Sequence, residues 1–98
     1  MKKDLKKIRL NINNIDNDMK HLFIKRMELI KQVIEYKKEN NLNILDTSRE
    51  NEIINLNSND LLNSEYYEYY LEFIKNIMNI SKEYQKNILN SSKNNNNE

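Results

Sequence analysis

The chain contains no glycine and no proline. Both residues interrupt helices and build tight turns, so their absence favours long helices and disfavours hairpins closed by two-residue turns. Phosphate-binding loops also need glycine, because their backbone approaches the phosphate closely. The sequence therefore excludes a P-loop and a glycine-rich dinucleotide-binding turn, and it predicts an all-α fold.

An apolar seam runs through the first third of the chain. Its members alternate in spacing between four and three residues, which is typical of one face of a helix. They are Ile8, Ile12, Ile15, Met19, Leu22, Arg26, Leu29 and Val33. The segment predicts one helix over residues 6–38, roughly 50 Å long at 1.5 Å per residue. A compact domain of 98 residues has a radius of gyration of about 13 Å. We therefore expect this helix to need a partner.

Two further helices are predicted beyond this seam. The asparagine-rich segment 40–43 indicates a loop, because asparagine tolerates the left-handed conformation that ends many helices. A short helix follows, with Thr47 and Glu50 at capping-box spacing. A polar connection then leads to a third helix over residues 65–90, where apolar residues recur every three or four positions. The order of the helices is long, short, long.

Composition favours a shared core. Hydrophobic residues make up 38% of the chain, below the roughly 45–50% of typical soluble domains, and small domains bury little surface alone. We therefore predict a helical homodimer. Residues 1–90 form the expected helical domain. Residues 91–98 are polar and low in complexity, which predicts a disordered tail.

Several function classes are disfavoured by simple counts. The chain has no cysteine and one histidine, His21, so we expect no disulfide and no metal site. Lys and Arg total 16 against 15 Asp and Glu, a balance that argues against a nucleic-acid surface. No apolar run approaches the roughly 20 residues of a membrane span. The basic start lacks the apolar core of a signal peptide. We expect a cytoplasmic protein with no nucleic-acid or membrane partner.

Cations occupy positions where a core is expected. Arg26 lies in the seam and stays charged, so it either pairs with Glu28 or Glu35, reaches out to solvent, or meets an anionic ligand. Lys37 follows eleven residues later, about 20° from the same face at 100° per residue. Arg9 is rotated by about 100° from Arg26. One chain cannot easily aim all three cations at one ligand, but a dimer can.

Other polar residues interrupt the second and third helices. Ser81 and Gln85 form an i, i+4 pair beside the apolar stripe of the third helix. Ser81 can simply bond to its own helix backbone, and Gln85 can simply be exposed. Likewise, Glu50 and Asp46 can act only as caps of the second helix. Each residue alone is weak evidence for a site.

The ordered set of these motifs resembles the all-helical class of chorismate mutase over nearly the whole chain. The second helix carries a D-x-x-R-E element, and the match has no departure at an expected ligand position. An asparagine-rich connection and a missing proline after the first helix are the differences. The matching motifs are Ile8-Arg9, Asn14-Ile15-Asp16, Lys25-Arg26-Met27-Glu28-Leu29, Tyr36-Lys37, Asp46-Thr47-Ser48-Arg49-Glu50 and Ser81-Lys82-Glu83-Tyr84-Gln85.

The resemblance implies an intertwined dimer with two equivalent sites that convert chorismate to prephenate on the route to phenylalanine and tyrosine. It implies that the partner's Arg9, Arg26 and Lys37 hold the two carboxylates of the substrate and that Ser81 supports one of them. Lys37 and Gln85 would donate to the ether oxygen. The rearrangement needs no nucleophile, general base, metal or cofactor, and fixed positive charge near the ether oxygen suits it.

The same resemblance assigns the remaining site residues. Asp46 and Glu50 would bind the hydroxyl end of the substrate, and Arg49 would stabilise the acidic residues at this edge of the site. Two alternatives stay open: an isochorismate pyruvate lyase on the same fold, and a helical dimerisation module with no ligand, in which seam charges set only register and partner choice. The D-x-x-R-E element favours the mutase over the lyase.

Overall fold

The structure is a computed structural model that describes residues 4–44 and 47–96. It consists of α1 (Leu5–Glu39), α2 (Thr47–Ser58) and α3 (Tyr67–Asn96), with a short 3-10 turn at Asn59–Leu61 after α2. No strand occurs within these two ranges. The predicted all-α fold and the order long, short, long are confirmed.

Both ends of α1 have local explanations. The carboxylate of Asp4 accepts hydrogen bonds from the backbone N–H groups of Lys6 and Lys7, at 3.0 and 3.4 Å, and so caps the start of the helix. At the other end, Asn41 has a φ of 56°, and the N–H of Leu42 donates to the carbonyl oxygen of Lys37 at 2.8 Å. This is a Schellman motif in which asparagine takes the place of glycine, as the asparagine-rich loop predicts.

The core lies where α2 and α3 pack near the C-terminal half of α1. Among the described side chains, the buried apolar ones are Ile34 on α1 with Ile74 and Met78 on α3. Two serines, Ser58 and Ser81, are buried beside them. Such a small core stabilises only part of the molecule, which measures 66 × 30 × 16 Å and has a radius of gyration of 18.1 Å. That radius exceeds the roughly 13 Å of a compact domain of this length.

The seam of α1 lies largely uncovered. The exposed fraction of its apolar side chains ranges from 39% at Ile8 to 65% at Leu22. Exposed apolar stripes of this length usually mark an interaction surface. A partner chain for α1 stays a prediction.

The boundaries of α2 and α3 differ slightly from those predicted. The second helix extends to Ser58 before the 3-10 turn, and α3 begins at Tyr67. The predicted end of α3 near Asn90 is wrong, because the helix continues to Asn96. The segment contains neither glycine nor proline, and serine, lysine and asparagine continue a helix at a cost of only about 0.3–0.7 kcal/mol each. The division into a domain over residues 1–90 and a tail over 91–98 stays a prediction.

Candidate active site

A pocket of about 220 Å³ lies between the three helices. Charged and polar side chains from all three helices meet apolar ones in its wall. The lining residues are Arg26, Ile30, Val33 and Lys37 from α1, Ile44 from the following loop, Arg49, Glu50 and Ile53 from α2, and Met78, Ser81 and Gln85 from α3. These lining residues are up to about sixty positions apart in the chain, so only the tertiary fold can bring them together.

Arg26 is held from the α3 side of the pocket. Its Nη1 donates a hydrogen bond to Ser81 Oγ, and its Nη2 lies 3.9 Å from the sulfur of Met78. Burial lowers the pKa of the Arg26 guanidinium, but arginine remains charged at physiological pH. Neither Glu28 nor Glu35 pairs with it in the part of the chain that the structure describes. The interpretation that Arg26 forms an ion pair with Glu28 or Glu35 is therefore wrong.

Lys37 lies in the same pocket as Arg26, as the helical spacing predicts. The Lys37 ammonium donates to the carbonyl oxygen of Ile44 at 3.2 Å. Because the Schellman motif turns the chain back after α1, this carbonyl comes alongside the last turn of the helix. An ammonium has three donors, so Lys37 can bind this carbonyl and still donate to a ligand.

Ser81 combines two interactions. Its hydroxyl donates to the carbonyl oxygen of Ile77 at 3.0 Å, which is the back-bonding expected of a serine within a helix, and it accepts the hydrogen bond from Arg26. Ser81 is only 5% exposed. Gln85 lies one turn further along α3, is half-buried and lines the pocket. Plain exposure of Gln85 is therefore wrong.

The α2 wall carries charges of both signs. Glu50 lines the pocket, and its Oε2 lies 3.1 Å from the Nζ of Lys82 on α3. Arg49 also lines the pocket and pairs with Glu52 at 3.3 Å near the surface. Lys82 is absent from the predicted site residues. The only signal for it in the sequence is its place directly after Ser81.

One predicted site residue, Arg9, does not join this pocket within one chain. Arg9 lies seventeen residues before Arg26 on α1, about 25 Å away along the helix axis, and it lines a shallow surface with Leu5 and Leu10. An arginine side chain cannot span that distance. Asp46 lies outside the described residues.

The pocket favours an anionic ligand. Among the described residues, three cations and one carboxylate line it, and Arg49 and Glu50 are paired with Glu52 and Lys82. Arg26 and Lys37 form no ion pair within the described ranges. Within residues 4–44 and 47–96, no group of three or more His, Asp or Glu side chains is arranged to hold a metal ion. Over the same ranges, no helix is both long and apolar enough to cross a membrane.

Three helices around a small cationic pocket define an all-helical protein with a candidate site for a small anionic ligand. Comparison with known families identifies the chain further. The family model for chorismate mutase type II matches residues 8–86, and the chain belongs to this family. The family is all-α and its enzymes are isomerases that convert chorismate to prephenate in the biosynthesis of aromatic amino acids. The resemblance that the motifs indicate is thereby confirmed. Neither the curated proteins nor the solved structures contain a significant match.

Proposed function

We propose that the pocket between α1, α2 and α3 is the site where chorismate binds and rearranges, and that a second copy of the chain completes it in the cytoplasm. One observation carries this proposal. Six of the eight residues that the sequence assigns to the site line this one pocket, although they belong to three different helices. They are Arg26, Lys37, Arg49, Glu50, Ser81 and Gln85.

The chemistry of the rearrangement suits this wall. Within one molecule an ether carbon–oxygen bond breaks while a carbon–carbon bond forms, so no proton needs to be removed and no covalent adduct is needed. The barrier falls when the substrate is held with its reacting ends close together. It falls further when fixed positive charge faces the ether oxygen, which gains negative charge in the transition state.

Arg26 is well placed to hold a carboxylate of the substrate. A guanidinium offers several donors in a rigid plane and often binds a carboxylate with two hydrogen bonds. The bond to Ser81 fixes the orientation of Arg26 before a ligand arrives, so less side-chain entropy is lost on binding. Ser81 thus supports carboxylate binding through Arg26.

Lys37 and Gln85 are the proposed donors to the ether oxygen. Both are half-buried in the pocket wall, where the low local dielectric strengthens their hydrogen bonds. The Gln85 amide is neutral and can donate at every physiological pH. Glu50 accepts a hydrogen bond from the hydroxyl end of the substrate together with Asp46. Arg49 stabilises the acidic residues at this edge of the site.

The remaining cation comes from another chain in this proposal. Arg9 is too far from the pocket along its own helix, while the seam beside it is exposed. The pocket volume of about 220 Å³ is also below the roughly 300–1,000 Å³ of most ligand sites, which supports a site with a wall still to be added. In an intertwined homodimer the partner's Arg9 would close each site.

A mixing experiment tests this proposal. Arg9→Ala and Arg26→Ala chains should each be inactive in prephenate formation. After subunit exchange, a heterodimer has one site that lacks both arginines and one intact site, so an equal mixture should recover about a quarter of wild-type activity. Failure to recover activity, with exchange confirmed by native mass spectrometry, contradicts the shared site.

The control mixture combines Arg26→Ala with Lys37→Ala. Both residues line the same pocket of one chain, so every site in a heterodimer lacks one of them and no activity should return. Recovery in this mixture would mean that an active site takes Arg26 and Lys37 from different chains, which contradicts the proposed pocket. Full activity of Arg26→Ala alone would overturn the proposed pocket itself.

A further inference from the structure

An ion pair joins α2 to α3 at the edge of the pocket. Lys82 and Glu50 lie 3.1 Å apart, with side chains 29% and 24% exposed. The other two ion pairs in the described ranges, Arg49–Glu52 and Lys86–Glu83, each lie within one helix and are much more exposed. The Lys82–Glu50 pair is therefore the one that connects two walls of the pocket, and solvent screens it least.

Two consecutive residues of α3 bind site residues of opposite charge. Ser81 accepts a hydrogen bond from Arg26 of α1, and Lys82 pairs with Glu50 of α2. Lys82 does not line the pocket, whereas Glu50 does. The ammonium lies against Oε2 of Glu50, which leaves Oε1 as an acceptor for a group inside the pocket.

We propose that Lys82 is a positioning residue, which holds the Glu50 carboxylate in one orientation and offsets its charge while an anionic substrate with a hydroxyl group binds. The inference rests on the proposed function, in which Glu50 accepts from the substrate hydroxyl. An unpaired carboxylate in the wall would repel a substrate that carries two carboxylates. It would also be free to rotate away from the hydroxyl. The cation at 3.1 Å counters both effects.

Replacing Lys82 by Met tests this role, since methionine keeps most of the stem and removes the charge. The KM for chorismate should rise about three- to tenfold, the equivalent of one weakened hydrogen bond. The hydroxyl is not part of the bonds that break or form, so kcat should stay within about twofold of the wild-type value. Lys82→Arg restores a cation beside Glu50 and should restore KM.

Lys86→Met is the matched control. Lys86 lies one turn further along α3, and its partner Glu83 is 70% exposed. The substitution removes the same charge from the same helix and should leave KM unchanged. In a Glu50→Gln background, Lys82→Met should have no further effect on KM, because the group through which it acts is gone.

Three outcomes would overturn the inference: an unchanged KM in Lys82→Met, an equal rise in Lys86→Met, or a full rise that persists in the Glu50→Gln background. Circular dichroism checks that each variant folds, and Lys82→Gln replaces Lys82→Met if the methionine variant does not. The result is separable from the proposed function. Arg26→Met tests the pocket directly, and it should lose turnover whatever Lys82 does.

Discussion

Replacing Lys37 by Met is the most direct test of the proposed chemistry. The ammonium is half-buried in the pocket and donates to the Ile44 carbonyl at 3.2 Å, so it is already oriented before a ligand binds. Methionine keeps the stem and the packing but removes the charge and the donors. Two losses follow, one in catalysis and one in stability, and their sizes differ.

The catalytic loss should be the larger. Removing one preorganised donor to a developing negative charge typically lowers kcat by about 10² to 10³, which is roughly 2.7–4 kcal/mol of transition-state stabilisation. The lost bond to Ile44 should lower the free energy of unfolding by only about 1 kcal/mol. For a chain of this length that shifts the melting temperature by roughly 4–8 °C.

The assay measures prephenate formation from chorismate well below the melting temperature, with thermal unfolding followed by circular dichroism. Lys38→Met is the control. Its side chain is exposed and is rotated by about 100° from Lys37, so neither rate nor stability should change appreciably. A folded Lys37→Met enzyme with a lower melting temperature and wild-type kcat would refute the reasoning, since Lys37 would then only tie the loop to α1.

Two further predictions concern Gln85 and Asn41. Wild-type kcat/KM should vary little across neutral pH, whereas Gln85→Glu should be poor at neutral pH and recover on acidification. The new carboxyl has a reference pKa of about 4.3, and only its protonated form can donate to the ether oxygen. Parallel pH profiles of kcat/KM for the two proteins would contradict this role. Asn41→Ala should lower the free energy of unfolding in urea by about 1 kcal/mol, because alanine is strained at the φ of 56°. Asn41→Gly should stay within about 0.5 kcal/mol of wild type, and equal losses for both variants would count against the Schellman turn.

Structural features that follow from helical periodicity or from the chemistry of neighbouring residues could be predicted from the sequence. The spacing from Ile8 to Val33 predicts α1, the asparagines predict its C-terminal turn, and the eleven-residue interval predicts that Arg26 and Lys37 share a face. Each depends on positions within one helix. The order of the motifs along the chain predicts the family.

Features that depend on how helices cross could not be predicted in this way. The ion pair between Lys82 and Glu50 exists because α2 and α3 pack against each other at these two residues. The periodicity of one helix does not specify where it meets another. The bond from Arg26 to Ser81 has the same origin. The predicted end of α3 is wrong for another reason: residues 91–96 are polar, but none of them is a glycine or proline that would break the helix.

One helix carries both the exposed seam and two cations of the pocket. If the seam joins two chains and the partner's Arg9 completes the site, as proposed, ligand binding and subunit association strengthen each other by the same factor. Dilution would then lower the apparent affinity of the enzyme for its substrate, and saturating substrate would oppose dissociation of the subunits. The concentration of the chain itself would thus set how readily chorismate is bound.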